Sequence, residues 1–161
     1  MKNQTLRSSS VRQTRDVARK MASFLRAGDV IGLTGPLGGG KTTFVQGLAE
    51  GLGLQRGVLV SSPTYTFIHE YRCDPLHLYH MDFYRLGSPA EAGSLGLDDY
   101  LDARQICIVE WFEKARQILP GDLLEVRFTT LSEMEREMEI VSHGPRSQTL
   151  LNSMAGIDSR E

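Results

Sequence analysis

GPLGGGKTTF, residues 35–44, decides how the rest of this chain is read. It contains G-x-x-x-x-G-K-[ST], the spacing of a loop whose backbone N–H groups cradle phosphates. Gly38, Gly39 and Gly40 let the backbone turn those groups inward without side-chain clash. Lys41 is placed to reach the β- and γ-phosphates, and the Thr42 hydroxyl to ligate a magnesium ion. The bland alternative is a glycine-rich turn with an incidental Lys-Thr pair. Context argues against it. The apolar run DVIGLTG (29–35) comes before, and TTFVQGLAEGL (42–52) follows with Phe44, Val45, Leu48 and Leu52 on one side. Strand, loop and helix in that order are what the motif requires, and the helix adds the positive end of its dipole.

Outward from the loop, the 161 residues are 40 % hydrophobic and 24 % charged, ordinary globular usage. A single domain over 1–161 is expected, with 1–9 and 155–161 as flexible ends. The first 26 residues carry Lys2, Arg7, Arg12, Arg15, Arg19, Lys20 and Arg26 against Asp16. An organelle leader would share that balance. Yet Val17, Ala18, Met21, Phe24 and Leu25 recur at helical spacing, which predicts a helix over 10–26 capped by Ser10. QTLRSSS (4–10) before it reads as an edge strand and a polar break.

Beyond the loop helix, GVLVSSP (57–63) reads as a second strand. YTFIHEYR (65–72) and LHLYHMDFYR (76–85) alternate as a hairpin turning at Cys73-Asp74-Pro75. Residues 88–102 read as helix in two pieces split at Gly96, and QICIVEW (105–111) as a buried strand. FEKARQILPG (112–121) is a helix stopped by Pro-Gly, LLEVRFTT and EMEREMEIV a second hairpin, and 146–154 a last helix. The alternation predicts an α/β fold, a three-layer P-loop NTPase-like sandwich around a mixed, mostly parallel sheet. No apolar run is long enough for a membrane helix. Cys73 and Cys107 have no metal-type spacing, and a reducing cytoplasm is the natural setting.

A phosphate loop needs an acid near its metal, usually at the end of an apolar strand. Two stand in such places, Asp82 after LYHM and Glu110 after ICIV. Glu110 ends the more apolar strand and is the metal-side candidate. Asp82 either orders the attacking water or pairs with Arg85. SSPTYT (61–66), stiffened by Pro63, offers Thr64 to a γ-phosphate or magnesium, although a polar connecting loop explains it as well. In EMEREMEI the four glutamates share a solvated face, while Arg136 joins Met134, Met138 and Ile140. A charge on that face either snorkels to solvent or meets bound nucleotide. The four histidines form no ligand spacing and His80 reads as structural; Trp111 is either core or a cover on the site.

GDVIGLTGPLGGGKTTF, SSPTYTFIHEY, LYHMDFYRL and IVEW, in this order and spacing, resemble the TsaE family, the bacterial ATPases of tRNA threonylcarbamoyladenosine synthesis. The match runs from about Ser10 to about Gly144. The resemblance implies a small P-loop ATPase that uses ATP and Mg²⁺ to reset a TsaB–TsaD complex, meeting tRNA only through that complex, with no membrane or DNA partner. It implies phosphate binding by Gly38, Gly39, Gly40, Lys41, Thr42 and Thr43, with Lys41 catalytic, and metal binding by Thr42 and Glu110. Asp82 would support hydrolysis, Thr14 would lie near the base, and Arg136 would be a further nucleotide contact. Gly39 stands where alanine is usual, Pro36 where an acid is common, and no proline follows Trp111. The rival reading is a small-molecule P-loop kinase, but Arg72, Arg85 and Arg104 are scattered and no lid insertion stands out. An RNA-binding module built on the basic first helix would lack the interleaved aromatics that stack bases.

Overall fold

Five consecutive buried residues, Ile106–Glu110, cannot be covered from one side. A strand apolar on both faces sits in the middle of a parallel sheet with helices above and below. The computed structural model, which describes residues 1–102 and 104–158, has that arrangement. In chain order the elements are β1 (Asn3–Ser8), α1 (Val11–Ala22), β2 (Val30–Thr34), α2 (Lys41–Gly51), β3 (Ile68–Arg72), β4 (His77–Asp82) and α3 (Pro89–Ser94). They continue with β5 (Ile106–Glu110), β6 (Leu124–Thr130), β7 (Arg136–Ser142) and α4 (Pro145–Ser153). Short 3₁₀ turns follow α3, β5 and α4.

The seven strands run in the order β1-β7-β6-β2-β5-β4-β3. The pairings β6–β2, β2–β5 and β5–β4 at the centre are parallel. Those at the edges, β1–β7, β7–β6 and β4–β3, are antiparallel. The sheet is mixed, as the two hairpins predict, with its pairings divided evenly between the two kinds. On one face Ile31, Leu33, Ile106, Ile108, Val126 and Ile140 pack with Val17 and Met21 of α1, Phe44 and Leu48 of α2, and Leu150 and Leu151 of α4. On the other, Val30, Cys107 and Val109 pack with Ala92 of α3, Leu97, Phe112 and Leu119. Those are the three layers.

Ser10 caps α1 as expected, its hydroxyl accepting from Gln13 N at 3.1 Å. The helix stops at Ala22, four residues short of the expected end. Residues 3–8 form the edge strand that QTLRSSS suggested, β1, and pair with β7 along their length rather than making a flexible start. The larger departure is 57–63, which is not a strand. Leu59 is 81 % exposed and Val58 45 %, so the run buries only Val60 and Pro63. Its backbone is satisfied by side chains instead: Gln46 donates to Val60 O and the Tyr71 hydroxyl meets Ser61 N and O. β3 begins only at Ile68, after Phe67 turns with φ 66°. Residues 112–118 are 3₁₀ with a kink at Ala115 rather than one helix. Glu133–Glu135 belong to the turn before β7. At the other end, 154–156 make a 3₁₀ turn and Ile157 joins the first core; 159–161 lie outside the described residues.

α1 lies against α2 across Gly47, where a Cβ would stand 2.2 Å from Arg15 O. Gly51, one turn on, would meet Ala22 Cβ at 2.6 Å. The two glycines let the phosphate-loop helix sit close under α1. Gly47→Ala is therefore expected to destabilise by about 1–3 kcal/mol, strain outweighing alanine's better helix propensity. Gly93→Ala in α3, where nothing lies within 4 Å, is expected to be neutral or stabilising by up to about 1 kcal/mol. Denaturant unfolding of both variants measures the contrast; equal effects would contradict the close crossing.

Candidate functional site

Three parallel strands end side by side, and their ends carry the chemistry. Leu33 of β2 is in register with Glu110 of β5, and Glu110 with Asp82 of β4. β2 runs directly into the loop 35–40, whose turns place Gly38 at φ 73° and Gly40 at φ 105°, conformations that favour glycine. α2 opens at Lys41 with no side-chain cap on its first turn, leaving those N–H groups facing outward. A cavity of about 310 Å³ lies over this end of the sheet. Every candidate from the sequence lines it: Thr14, the run 38–43, Asp82, Glu110 and Arg136.

Glu110 is 2 % exposed, and its Oε2 accepts from Ser62 Oγ at 2.6 Å and lies 2.7 Å from His80 Nε2. Ser62 Oγ in turn is 2.8 Å from Thr42 Oγ1. A serine has one hydroxyl proton, and here Glu110 takes it, so Thr42 donates in that pair. The Thr42 lone pairs are left for another partner. Burial raises the Glu110 carboxyl, but the His80 hydrogen bond and charge, Ser62 and Lys41 together hold it below the ordinary glutamate value. Asp82 goes the other way. Burial dominates and, with the Glu110 charge, raises it above the usual range despite bonds from Tyr84 N and Thr64 Oγ1. Two neighbouring carboxyls are thus pushed apart in proton affinity.

Lys41 Nζ donates to Gly35 O at 2.7 Å and Pro36 O at 2.8 Å, and stands 4.7 Å from the Trp111 ring centroid. Burial lowers its pKa against the pull of Glu110, Asp82 and Glu113. Trp111 lines the cavity beside Tyr84, their rings 5.2 Å apart, so the lone tryptophan borders the site rather than filling the core. Arg136 sits at the cavity mouth, bonded to Ser132 O, Glu133 O, Glu135 O and Gly38 O. Thr14 is buried, its hydroxyl 2.6 Å from Ser8 Oγ. Asp82 does not pair with Arg85, whose guanidinium lies over Tyr65. Burial pushes the Cys73 and Cys107 thiols up to about 11 and about 12, which makes both poor nucleophiles.

Two contributors were not legible as such. Ser62 lay inside the quoted SSPTYT run but nothing local linked it to Glu110, and His80 read as merely structural. The donors gathered here are hydroxyl and carboxylate oxygens, the set a hard cation such as Mg²⁺ prefers. No cluster of three or more His, Cys, Asp or Glu suited to a metal occurs among the described residues. An ion at this place would therefore complete its shell with phosphate oxygens and water, as Mg²⁺ commonly does.

The family described as threonylcarbamoyl adenosine biosynthesis protein TsaE matches residues 8–138. The chain belongs to the TsaE family. The TsaE protein of Bacillus subtilis is 39 % identical over 159 residues, covering 99 % of this chain and 98 % of that one. The TsaE protein of Treponema pallidum is 36 % identical, covering 80 % and 96 %. The crystal structure of Bacillus subtilis YdiB superposes with a TM-score of 0.82 at 36 % identity, covering 96 % of this chain and 95 % of that one. TsaE proteins are P-loop, nucleotide-binding proteins of tRNA threonylcarbamoyladenosine biosynthesis. No helix among the described residues is long and apolar enough to cross a membrane.

Opposite slopes of stability against pH follow from the two acids. Glu110, held low in the fold, contributes stability above the unfolded value that is lost as pH falls through the folded one. Asp82, held high, costs stability as pH rises from the unfolded value through the folded one. The stability difference between the unmodified protein and Glu110→Gln should grow with rising pH across the acid range, and that for Asp82→Asn should shrink. Denaturant unfolding between about pH 3 and pH 7 without nucleotide measures both; slopes of the same sign would contradict the assignment.

Proposed function

We propose that this TsaE protein is a Mg²⁺-dependent ATPase that supports tRNA threonylcarbamoyladenosine modification by binding a TsaB–TsaD complex and resetting it through ATP hydrolysis. The observation that carries the reading is the hydroxyl bridge of Ser62 between Thr42 of the phosphate loop and Glu110. It brings a metal-competent hydroxyl and a carboxylate held ionised to one end of the cavity that the loop opens onto.

In this reading the N–H groups of Gly38 to Thr43 hold the β- and γ-phosphates. Lys41 exchanges its two loop carbonyls for phosphate oxygens and neutralises charge that builds during transfer. Thr42 and Glu110 would hold Mg²⁺, which supplies Lewis-acid neutralisation of the phosphate oxygens when bound. Asp82, with the higher proton affinity, accepts a hydrogen bond from the attacking water. That water's oxygen forms the new bond to the γ-phosphorus as the bond to the ADP oxygen breaks. Thr14 and Arg136 border the adenosine side, and Ser62 and Thr64 let the 61–66 loop respond to nucleotide. Arg136, the one arginine lining the cavity among the described residues, is engaged by carbonyls of its own turn. Nothing else there offers the guanidinium that accelerates phosphoryl transfer in related systems, which supports slow hydrolysis that rises when the partner binds. The stretch between β4 and β5, where a kinase lid could lie, packs Leu86, Ala92 and Leu97 into the second core, which gives the small-molecule kinase reading no support.

The test is the ATP hydrolysis rate of the protein alone and with its cognate TsaB–TsaD pair. A slow rate that rises at least tenfold with the pair is expected, and its loss in Lys41→Ala and on chelation of Mg²⁺. A rate indifferent to the pair, or full activity in Lys41→Ala, would sink the proposal.

A further inference from the structure

His80 is wholly buried, sits on β4 two residues before Asp82, and has a single hydrogen-bond partner among the described residues, Glu110 Oε2 at 2.7 Å. Its other ring nitrogen, Nδ1, is buried without a hydrogen-bond partner among the described residues. An ionised carboxylate only accepts, so the ring nitrogen facing it carries the proton. Whatever charge the ring carries, the nitrogen turned to Glu110 is an Nε2–H donor. Ser62 donates to the same oxygen. Both short bonds fall on Oε2, and Oε1 takes none among the described residues.

The consequence is geometric. A carboxylate on a long side chain at a strand end has several rotamers, and each immobilised one costs entropy. Two donors on one oxygen, one from the neighbouring strand and one from the 61–66 loop, fix the plane of the group and leave the other oxygen for the cavity. Ser62 alone could not do this, because it rides on an irregular loop. His80 rides on a strand in register with β5, where it is paired across from Ile108. Partners behind a metal-facing group often cost about 10–100-fold in metal affinity or activity when removed.

We propose that His80 is a positioning residue of this site: its Nε2–H pins Glu110 Oε2, so that Oε1 is presented to the cation and water bound beside the phosphate loop. This rests on the ATPase reading above, and it deepens the role of Glu110 within it.

Two readouts test it. The first needs no activity: the imidazole ¹⁵N spectrum of the unmodified protein and of Glu110→Gln. His80 should show the proton on Nε2, and its signals should shift in Glu110→Gln. An Nε2 without a proton would overturn the proposal. The second uses His80→Leu, of similar bulk without a donor, and His80→Gln, whose amide nitrogen can reach where Nε2 stands. His80→Leu should bind ATP in the absence of Mg²⁺ within about twofold of the unmodified protein. Its Mg²⁺ midpoint for nucleotide tightening should move about tenfold higher and its hydrolysis fall about 10–100-fold. His80→Gln should recover most of both losses. Unchanged Mg²⁺ dependence in His80→Leu, or a His80→Gln as impaired as His80→Leu, would reduce His80 to a core residue and overturn the proposal. If the unmodified protein hydrolyses no ATP, the ATPase reading fails by itself, while the nitrogen spectrum and the Mg²⁺ midpoint still decide the role of His80.

Discussion

Burying the carboxylate of Glu110 is the constraint around which this end of the molecule is arranged. An ionised group out of water is costly unless it is hydrogen-bonded and met by charge. Here the cost is offset by His80 from β4 and by Ser62 from a loop, with the Lys41 ammonium near enough to lower its proton affinity. Each partner comes from a different segment. Satisfying one acid therefore ties the phosphate loop, the central sheet and the 61–66 loop together, and Thr42 joins through Ser62.

The same segment is anchored from the opposite side. Gln46 of α2 accepts from Arg15 of α1 and donates to Val60 O, while Tyr71 of β3 holds Ser61. Thr64 reaches Asp82. Residues 60–64 thus run between the loop helix and the two acids, held almost wholly through side chains rather than a strand ladder. Val60 and Pro63 are buried, while Ser61, Ser62 and Thr64 are held by individual hydrogen bonds that can exchange partners. The segment is suited to report what occupies the phosphate loop.

Local signals were legible in the sequence and remote ones were not. The phosphate loop, its strand and its helix follow from glycine spacing and periodicity within about 25 residues. Glu110 was found because four apolar residues lead straight to it, and Arg136 because period two put a charge on the Met138 and Ile140 side. The Ser62–Glu110 bond spans 48 residues and the His80–Glu110 bond 30, and no periodicity encodes such meetings. GVLV misled because its composition suits a strand, yet Val58 and Leu59 face solvent. The position beside β4 is taken by β3 from the hairpin, so that run has no ladder to join.

Amide hydrogen exchange with a non-hydrolysable ATP analogue and Mg²⁺ tests most directly whether phosphate loop, acids and 61–66 segment act as one nucleotide-responsive unit. In the unmodified protein, exchange should slow both in 37–42 and in 61–66. In the Ser62→Ala/Thr64→Ala double variant it should still slow in 37–42 but no longer in 61–66. Exchange in 61–66 that ignores the nucleotide, or that slows equally in the double variant, would contradict the account.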